Sequence, residues 1–453
     1  MPEKNDLITQ PIPGLIRRLA IPASMGFFFN TMFNVVDTYF GGIISTQVLA
    51  ALSLSLPVYF IIIAMGTGLS TGTTALIATA LGRGDRNKAR LYAIQGITFG
   101  IMTAMITTLI GFYISPLLFK TLGATGEYLT MALLYMNTIF AGAVFFLLAY
   151  MLNAILTAMG DTKSFRNFLI AGFFLNIGLD PLFMFGGFGI PSMGIAGIAL
   201  ATVVVQLLGS IYLGFKVHRS SLIAGKNVSD IFPKKTAFRD IAYQGFPASF
   251  NTITIGIGFF VITWFISQFG KDAVAAYGIG IRIEQIILVP TIGLNISTLT
   301  LVAQNNGAGL FHRIREILNR SLLYGGIISV AGTVIVLVGA RYWMGIFTDD
   351  ETVISIGTTY LRIDALVFYG YIILFVHIAA LQGIKKPMYA VLIGLVRQLA
   401  APVVVFHLFV TIFGWKLLGI WWGFFLITWS AAIFTLFYAR SILNRNSQTP
   451  PAT

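Results

Sequence analysis

A membrane-spanning helix needs about 20 mostly apolar residues, and stretches of that kind recur from one end of this chain to the other. There are twelve, at about residues 15–41, 49–82, 92–117, 129–157, 165–187, 193–217, 241–269, 275–306, 318–341, 353–383, 389–412 and 417–442. Lipid offers no partner to the peptide N–H and C=O, so segments of this length cross it as helices that bond within themselves. The expectation is an all-α membrane protein with twelve transmembrane helices. Composition agrees: the 453 residues are 57% hydrophobic and only 10% charged, where ordinary globular domains are about 25% charged. A soluble enzyme and a disordered chain are both excluded. With no cysteine there is no disulfide framework, Cys-ligated metal or thiol nucleophile. Several spans are longer than a straight crossing requires, which calls for tilt, a kink or an end in water. Met1 to Gly14 is polar and proline-bearing and lacks the pattern of a cleaved signal, so the first helix is expected to be retained.

Short loops rich in Lys and Arg stay in the cytoplasm. Of the 29 basic residues, Lys120, Lys271, Arg341 and Lys416 fall in one set of alternate breaks, Arg282, Arg362 and Arg397 lie inside spans, and the other 22 share the N-terminal side. The asymmetry places both termini in the cytoplasm of an inner or plasma membrane and supports an even helix count. It also accounts for a pI near 9.8 through anionic lipid head groups, with no nucleic-acid partner.

Sliding the chain along itself by 225 residues gives a gap-free match. Pro22-Ala23-Ser24 falls on Pro247-Ala248-Ser249, Gly68-Leu69 on Gly293-Leu294, Gly82 and Gly84 on Gly307 and Gly309, Tyr135 on Tyr360, and Gly194-Ile195 on Gly419-Ile420. Six helices per half is an even number, so the halves are parallel repeats about an axis along the membrane normal. The expected organisation is an N-terminal six-helix lobe over 1–217, a cytoplasmic linker over 218–240 and a C-terminal six-helix lobe over 241–453. Two such bundles around a cleft suit a transporter that rocks between inward-open and outward-open states.

An ionisable residue at membrane depth is costly and by default functional. Four acids lie well inside spans: Asp37, Asp180, Glu284 and Asp364. Asn30, Asn34 and Asp37 recur at i, i+4 and i+7 and share one helical face; Asn176 and Asp180 do the same in the fifth span. Carboxylates with amide oxygens form a hard-oxygen pocket for a small cation, so Asp37, Asn176 and Asp180 are the candidate proton or sodium site, with no other metal implied. Their counterparts one period on are Ile262, Ala401 and Val405. Packing needs would recur in both halves, so a one-sided polar cluster points to function. The second half holds Arg282 and Glu284 in its eighth span, Arg362 and Asp364 in its tenth and Arg397 in its eleventh. Residues two apart point away from each other, so Glu284 is expected to pair with Arg362 and Asp364 with Arg282, as a clamp between helices, the alternative being a second proton-linked site or a gate.

Other signals are weaker. Gly66 to Gly72 lacks dinucleotide spacing and reads as close helix packing. Pro22, Pro57, Pro181, Pro290 and Pro402 lie in or near helices and permit bending, with Pro22 a candidate hinge fifteen residues before Asp37. The four histidines make no metal-ligand spacing and no catalytic set, so the chain is not expected to be an enzyme.

Two six-helix halves, the acid of the first span preceded by Pro22, the Asn176/Asp180 pair, Gly160-Asp161-Thr162-Lys163 and Gln304-Asn305-Asn306-Gly307-Ala308-Gly309 together resemble a multidrug and toxic compound extrusion transporter over nearly the whole chain. The likeness is nearest to the prokaryotic branch named for the DNA-damage-inducible protein F. The resemblance implies a V-shaped antiporter that exports cationic or lipophilic small molecules in exchange for protons or sodium, needs no cofactor and works as a monomer. By position, Asp37, Asn176 and Asp180 match that branch's N-lobe cation site, with Asn153 near it. Other branches carry an acid in the seventh helix, and the span 241–269 has none. Glu284 and Asp364 match acids those branches use in the eighth and tenth helices. A lipid-linked oligosaccharide flippase of the same superfamily is the alternative; it calls for a cleft rich in arginine.

Overall fold

The computed structural model describes residues 5–220, 222–223 and 230–448; Lys4, Lys226 and part of the expected linker lie outside them. Helices account for nearly all of these residues, and the one β-bridge among them joins Gly187 to Ile190. In chain order the long helices are α1 (Ile12–Ile44), α2 (Thr46–Gly82), α3 (Arg86–Thr121), α4 (Gly126–Ala141 and Ala143–Ala158), α5 (Lys163–Phe185) and α6 (Ile195–Arg219). The second half repeats the series with α7 (Lys235–Ser267), α8 (Lys271–Gly307), α9 (Phe311–Gly345), α10 (Glu351–Ala365 and Phe368–Gly383), α11 (Met388–Ile412) and α12 (Lys416–Gln448). Ten are long and apolar enough to cross a membrane, and the broken α4 and α10 bring the number to twelve. Outward faces carry hydrocarbon at helical spacing: Ile106, Leu109, Ile110 and Leu117 on α3, and Ile327, Val330, Val334 and Val338 on α9 are all exposed. The chain is a multi-pass membrane protein.

The two helix breaks are not at proline. Pro22, Pro57, Pro181 and Pro290 each sit inside an otherwise continuous helix, whereas α4 turns by 46° after Ala141 and α10 by 50° after Ala365. In α4 the break is at Gly142, where a side chain would collide with Val203 of α6. Its counterpart one period on is Val367, inside the break of α10.

The helices form two compact units. One spans Met25–Ser249 and the other joins Met1–Ser24 to Phe250–Thr453. The two borders, inside α1 and inside α7, lie one sequence period apart, directly after the repeated Pro-Ala-Ser. Within the first unit, the start of α7 lies in a notch on α2: a Cβ on Gly68 would overlap the Ser249 backbone, and one on Gly72 would stand 2.5 Å from the Gly245 nitrogen. Within the second, the start of α1 lies in a matching notch on α8, where a Cβ on Gly293 would overlap the Ala20 carbonyl. Ser24 Oγ donates there to the Pro290 carbonyl at 3.2 Å.

Polar clasps hold the segments that lead into α1 and α7. In the second unit Asn5 donates to Gln304 at 2.8 Å and Arg313 to the Gln10 carbonyl at 2.7 Å. Gln304 and Asn305 of the Gln-Asn-Asn-Gly-Ala-Gly run are thus seats for the N-terminal segment, and Gly309 supplies the left-handed turn (φ 71°) that closes α8. In the first unit the buried Gln95 of α3 donates to the Asp230 and Phe232 carbonyls (2.6 and 2.8 Å) and accepts from the Lys234 amide (2.8 Å). Leu at 95 would fill the same space and remove all three of these hydrogen bonds. At about 1–3 kcal/mol for each buried unsatisfied group, Gln95→Leu should lower the detergent unfolding midpoint by several degrees. An unchanged midpoint would mean that water replaces the amide.

Candidate cation site

Three helices of the Met25–Ser249 unit build this site. α5 and α6 approach closely because glycine faces side chain or backbone across the contact: a Cβ on Gly172 would lie 2.9 Å from Val205, and one on Gly197 2.5 Å from the Phe183 carbonyl carbon. That approach presents Thr202 of α6 to Asp37 of α1, and Thr202 Oγ1 donates to Asp37 Oδ2 at 3.3 Å. On α5 the i, i+4 pair closes on itself, with Asn176 Nδ2 donating to Asp180 Oδ1 at 2.9 Å. Asn176 and Asp180 are fully buried and Asp37 is 8% exposed. The two carboxyl groups are near enough to interact electrostatically, with Asn176 beside both.

What this cluster lacks is enough donors. Asp37 Oδ1, Asn176 Oδ1 and Asp180 Oδ2 are buried with no hydrogen-bond partner. Buried polar atoms in folded proteins are almost always satisfied, and two adjacent carboxylates in a poorly solvated place repel each other. A shared proton, or a small cation bound to all three oxygens, removes both penalties.

Asn30 and Asn34 lie on the same face of α1, one and two turns before Asp37. They line a narrow cleft with Tyr59, Tyr150, Phe165 and Gln206; its free volume of about 30 Å³ takes two or three waters. Asn153 is engaged elsewhere, accepting from Thr157 one turn on at 3.1 Å. Thr202 was not singled out by sequence, yet its repeat counterpart is Ile427, the polar-to-apolar asymmetry that marks Asp37, Asn176 and Asp180.

The other unit corrects an expectation. Neither Glu284–Arg362 nor Asp364–Arg282 forms an ion pair; both arginines are exposed while Asp364 is 3% exposed. A two-residue offset that turns each acid inward turns its arginine outward, so no cross-pairing of α8 and α10 brings them together. Glu284 instead accepts from Tyr360 at 3.0 Å, with Tyr371 beside it and Arg397 in its field.

A family model, MatE, matches the chain twice, at residues 22–182 and 247–406. The chain belongs to the MATE family. The two matches start one period of 225 residues apart, each at the proline of Pro-Ala-Ser, so the family unit recurs once per half and spans the first five helices of each. MATE proteins are transporters, not enzymes. The chain is 27% identical over 428 residues to the probable multidrug resistance protein NorM of Thermotoga maritima, covering 93% of this chain and 91% of that protein. It is 26% identical over 393 residues to the multidrug export protein MepA of Staphylococcus aureus, covering 85% and 86%. A solved MOP superfamily transporter from Pyrococcus furiosus shares the MATE fold, with a TM-score of 0.92 at 24% identity over 99% of this chain and all of that one. A multidrug resistance MATE transporter in an outward-facing conformation matches equally well, at 0.92 and 24%.

Proposed function

We propose that this MATE protein exports cationic or lipophilic organic molecules in exchange for protons or sodium, using Asp37, Asn176 and Asp180 as the site of the coupling ion. Export of multiple drugs is what the names of its NorM and MepA relatives state. The observation that carries the ion coupling is the set of three buried oxygens without donors, present in one half of a duplicated protein. An ion drives a conformational change only by its differential affinity for the two states. A site satisfied by an ion in one state and strained without it in the other supplies that difference. Alternating access follows, with Pro22 in α1 as the hinge between the clasped N-terminal segment and the face that carries Asp37. The excess of basic residues in one set of loops supports cytoplasmic termini in the inner or plasma membrane, with the protein acting as a single chain.

The test is a vesicle assay on purified protein. A fluorescent organic cation is followed while a pH gradient and a sodium gradient are imposed separately. Saturable flux driven by one of the two identifies the coupling ion. Flux that follows only the dye's own gradient would end the antiport reading.

A further inference from the structure

The C-terminal unit holds a second pair of buried acids, built on different positions of the repeat. Glu284 of α8 and Asp364 of α10 correspond one period earlier to Tyr59 and Ile139, so this pair is not a copy of the first. Asp364 is 97% buried and its Oδ2 has no partner, an acceptor awaiting a positive group. The groups that face the pair are Tyr277 from α8, Tyr360 from α10 before its break, Tyr371 from α10 after it, and Arg397 from α11. Only Arg397 among them carries positive charge.

Arg397 is placed unusually. It lies in a π-helical turn, Val396–Ala400, a rare insertion that is frequent at functional sites. The matching stretch of α5, residues 171–175, is unbroken α-helix with Gly172 in the arginine's place. The guanidinium stands 5.5 Å from the centre of the Tyr371 ring, near Glu284 but without a salt bridge to either acid. Ring and carboxylate are alternative seats for one cation. Counted formally, two carboxylates and one guanidinium leave a single negative charge, whereas Asp37 and Asp180 leave two.

We propose that Arg397 is a tethered counter-ion that competes with a free monovalent cation for the Glu284/Asp364 pair: seated on Glu284 it excludes that cation, and withdrawn over Tyr371 it admits one. Arg397 then sets how many cations the C-terminal unit can hold. This goes beyond the proposed antiport and does not require it, since the site can be read by binding alone.

The experiment uses full-length protein in detergent, carrying Asp37→Asn and Asp180→Asn to silence the first site. Bound radiolabelled sodium is counted at alkaline pH, and proton uptake is followed with an indicator dye on acidification. Arg397→Gln should bind one more cation per chain than this background; a sodium gain and a proton gain identify the ion. Arg397→Lys should stay at the background count, and adding Glu284→Gln to Arg397→Gln should return to it. No gain in Arg397→Gln, a gain that persists in the double variant, or Arg397→Lys behaving like Arg397→Gln would each overturn the proposal. Where Arg397→Gln fails to fold, Arg397→Ala decides: one more bound cation supports the counter-ion role, and an unchanged count refutes it. If the unmodified protein binds no more than the background, Asp37 and Asp180 are not an ion site, and that result leaves the Arg397 comparison intact.

Discussion

Asp37→Asn is expected to abolish gradient-driven efflux while the protein still folds and reaches the membrane. Asparagine keeps the size of the side chain and an oxygen for Thr202, which donates to Asp37 at 3.3 Å, and its amide can donate to one of the stranded oxygens on Asn176 or Asp180. Removing one of two adjacent buried charges also relieves repulsion, so thermal stability should be unchanged or higher. Coupling should vanish, because the ion loses half of its charged seat. Typical coupling energies correspond to factors of about 5–150, so gradient-driven flux should fall by about 100-fold. Resistance to a toxic organic cation in an efflux-deficient host should fall to the empty-vector level. A stable mutant with full flux would remove Asp37 from the mechanism; a mutant that is both inactive and unstable would assign it to folding instead.

The sequence showed the architecture because lipid leaves so few alternatives. Twelve apolar stretches had to be helices, and the 225-residue match that aligns Pro22 with Pro247 is the one at which the family model fits twice. The asymmetry test, asking which polar residues lack a polar counterpart one period on, selected Asp37, Asn176 and Asp180, and the structure brings all three together. Applied throughout, it would also have selected Thr202, opposite Ile427.

What stayed hidden depends on facing and on backbone geometry. The arginines at 282 and 362 lie two residues from their acids, and one dimension cannot tell which member of such a pair turns inward. The π-turn around Arg397 leaves no compositional trace, since Val396 to Ala400 reads as ordinary apolar helix. The breaks in α4 and α10 fall at Gly142 and at Leu366–Val367, where no proline marks them. Close packing against Val203 accounts for the first.

A marked loss of stability is expected from filling the glycine notches that seat the starts of α1 and α7. At Gly68 the atoms in the way are Ser249 backbone nitrogen and Cα, and at Gly293 the Ala20 carbonyl. Backbone cannot swing aside as a flexible side chain does, so even alanine must push one helix off the other. Overpacking of this kind costs about 1–3 kcal/mol, occasionally more, and the lost close approach removes the contact on which helix association in lipid depends. Gly178 of α5 is the internal control, because a Cβ there meets nothing within 4 Å, and alanine gains up to about 1 kcal/mol of helix propensity over glycine. Gly68→Ala and Gly293→Ala should therefore lower the detergent unfolding midpoint and the yield of dispersed protein, with Gly178→Ala at or above the unmodified protein. The two notch variants should also match each other, because Gly68 against Ser249 and Gly293 against Ser24 are the same contact one period apart. If all three alanines behaved alike, the notches would not be where the two units grip their borrowed helices.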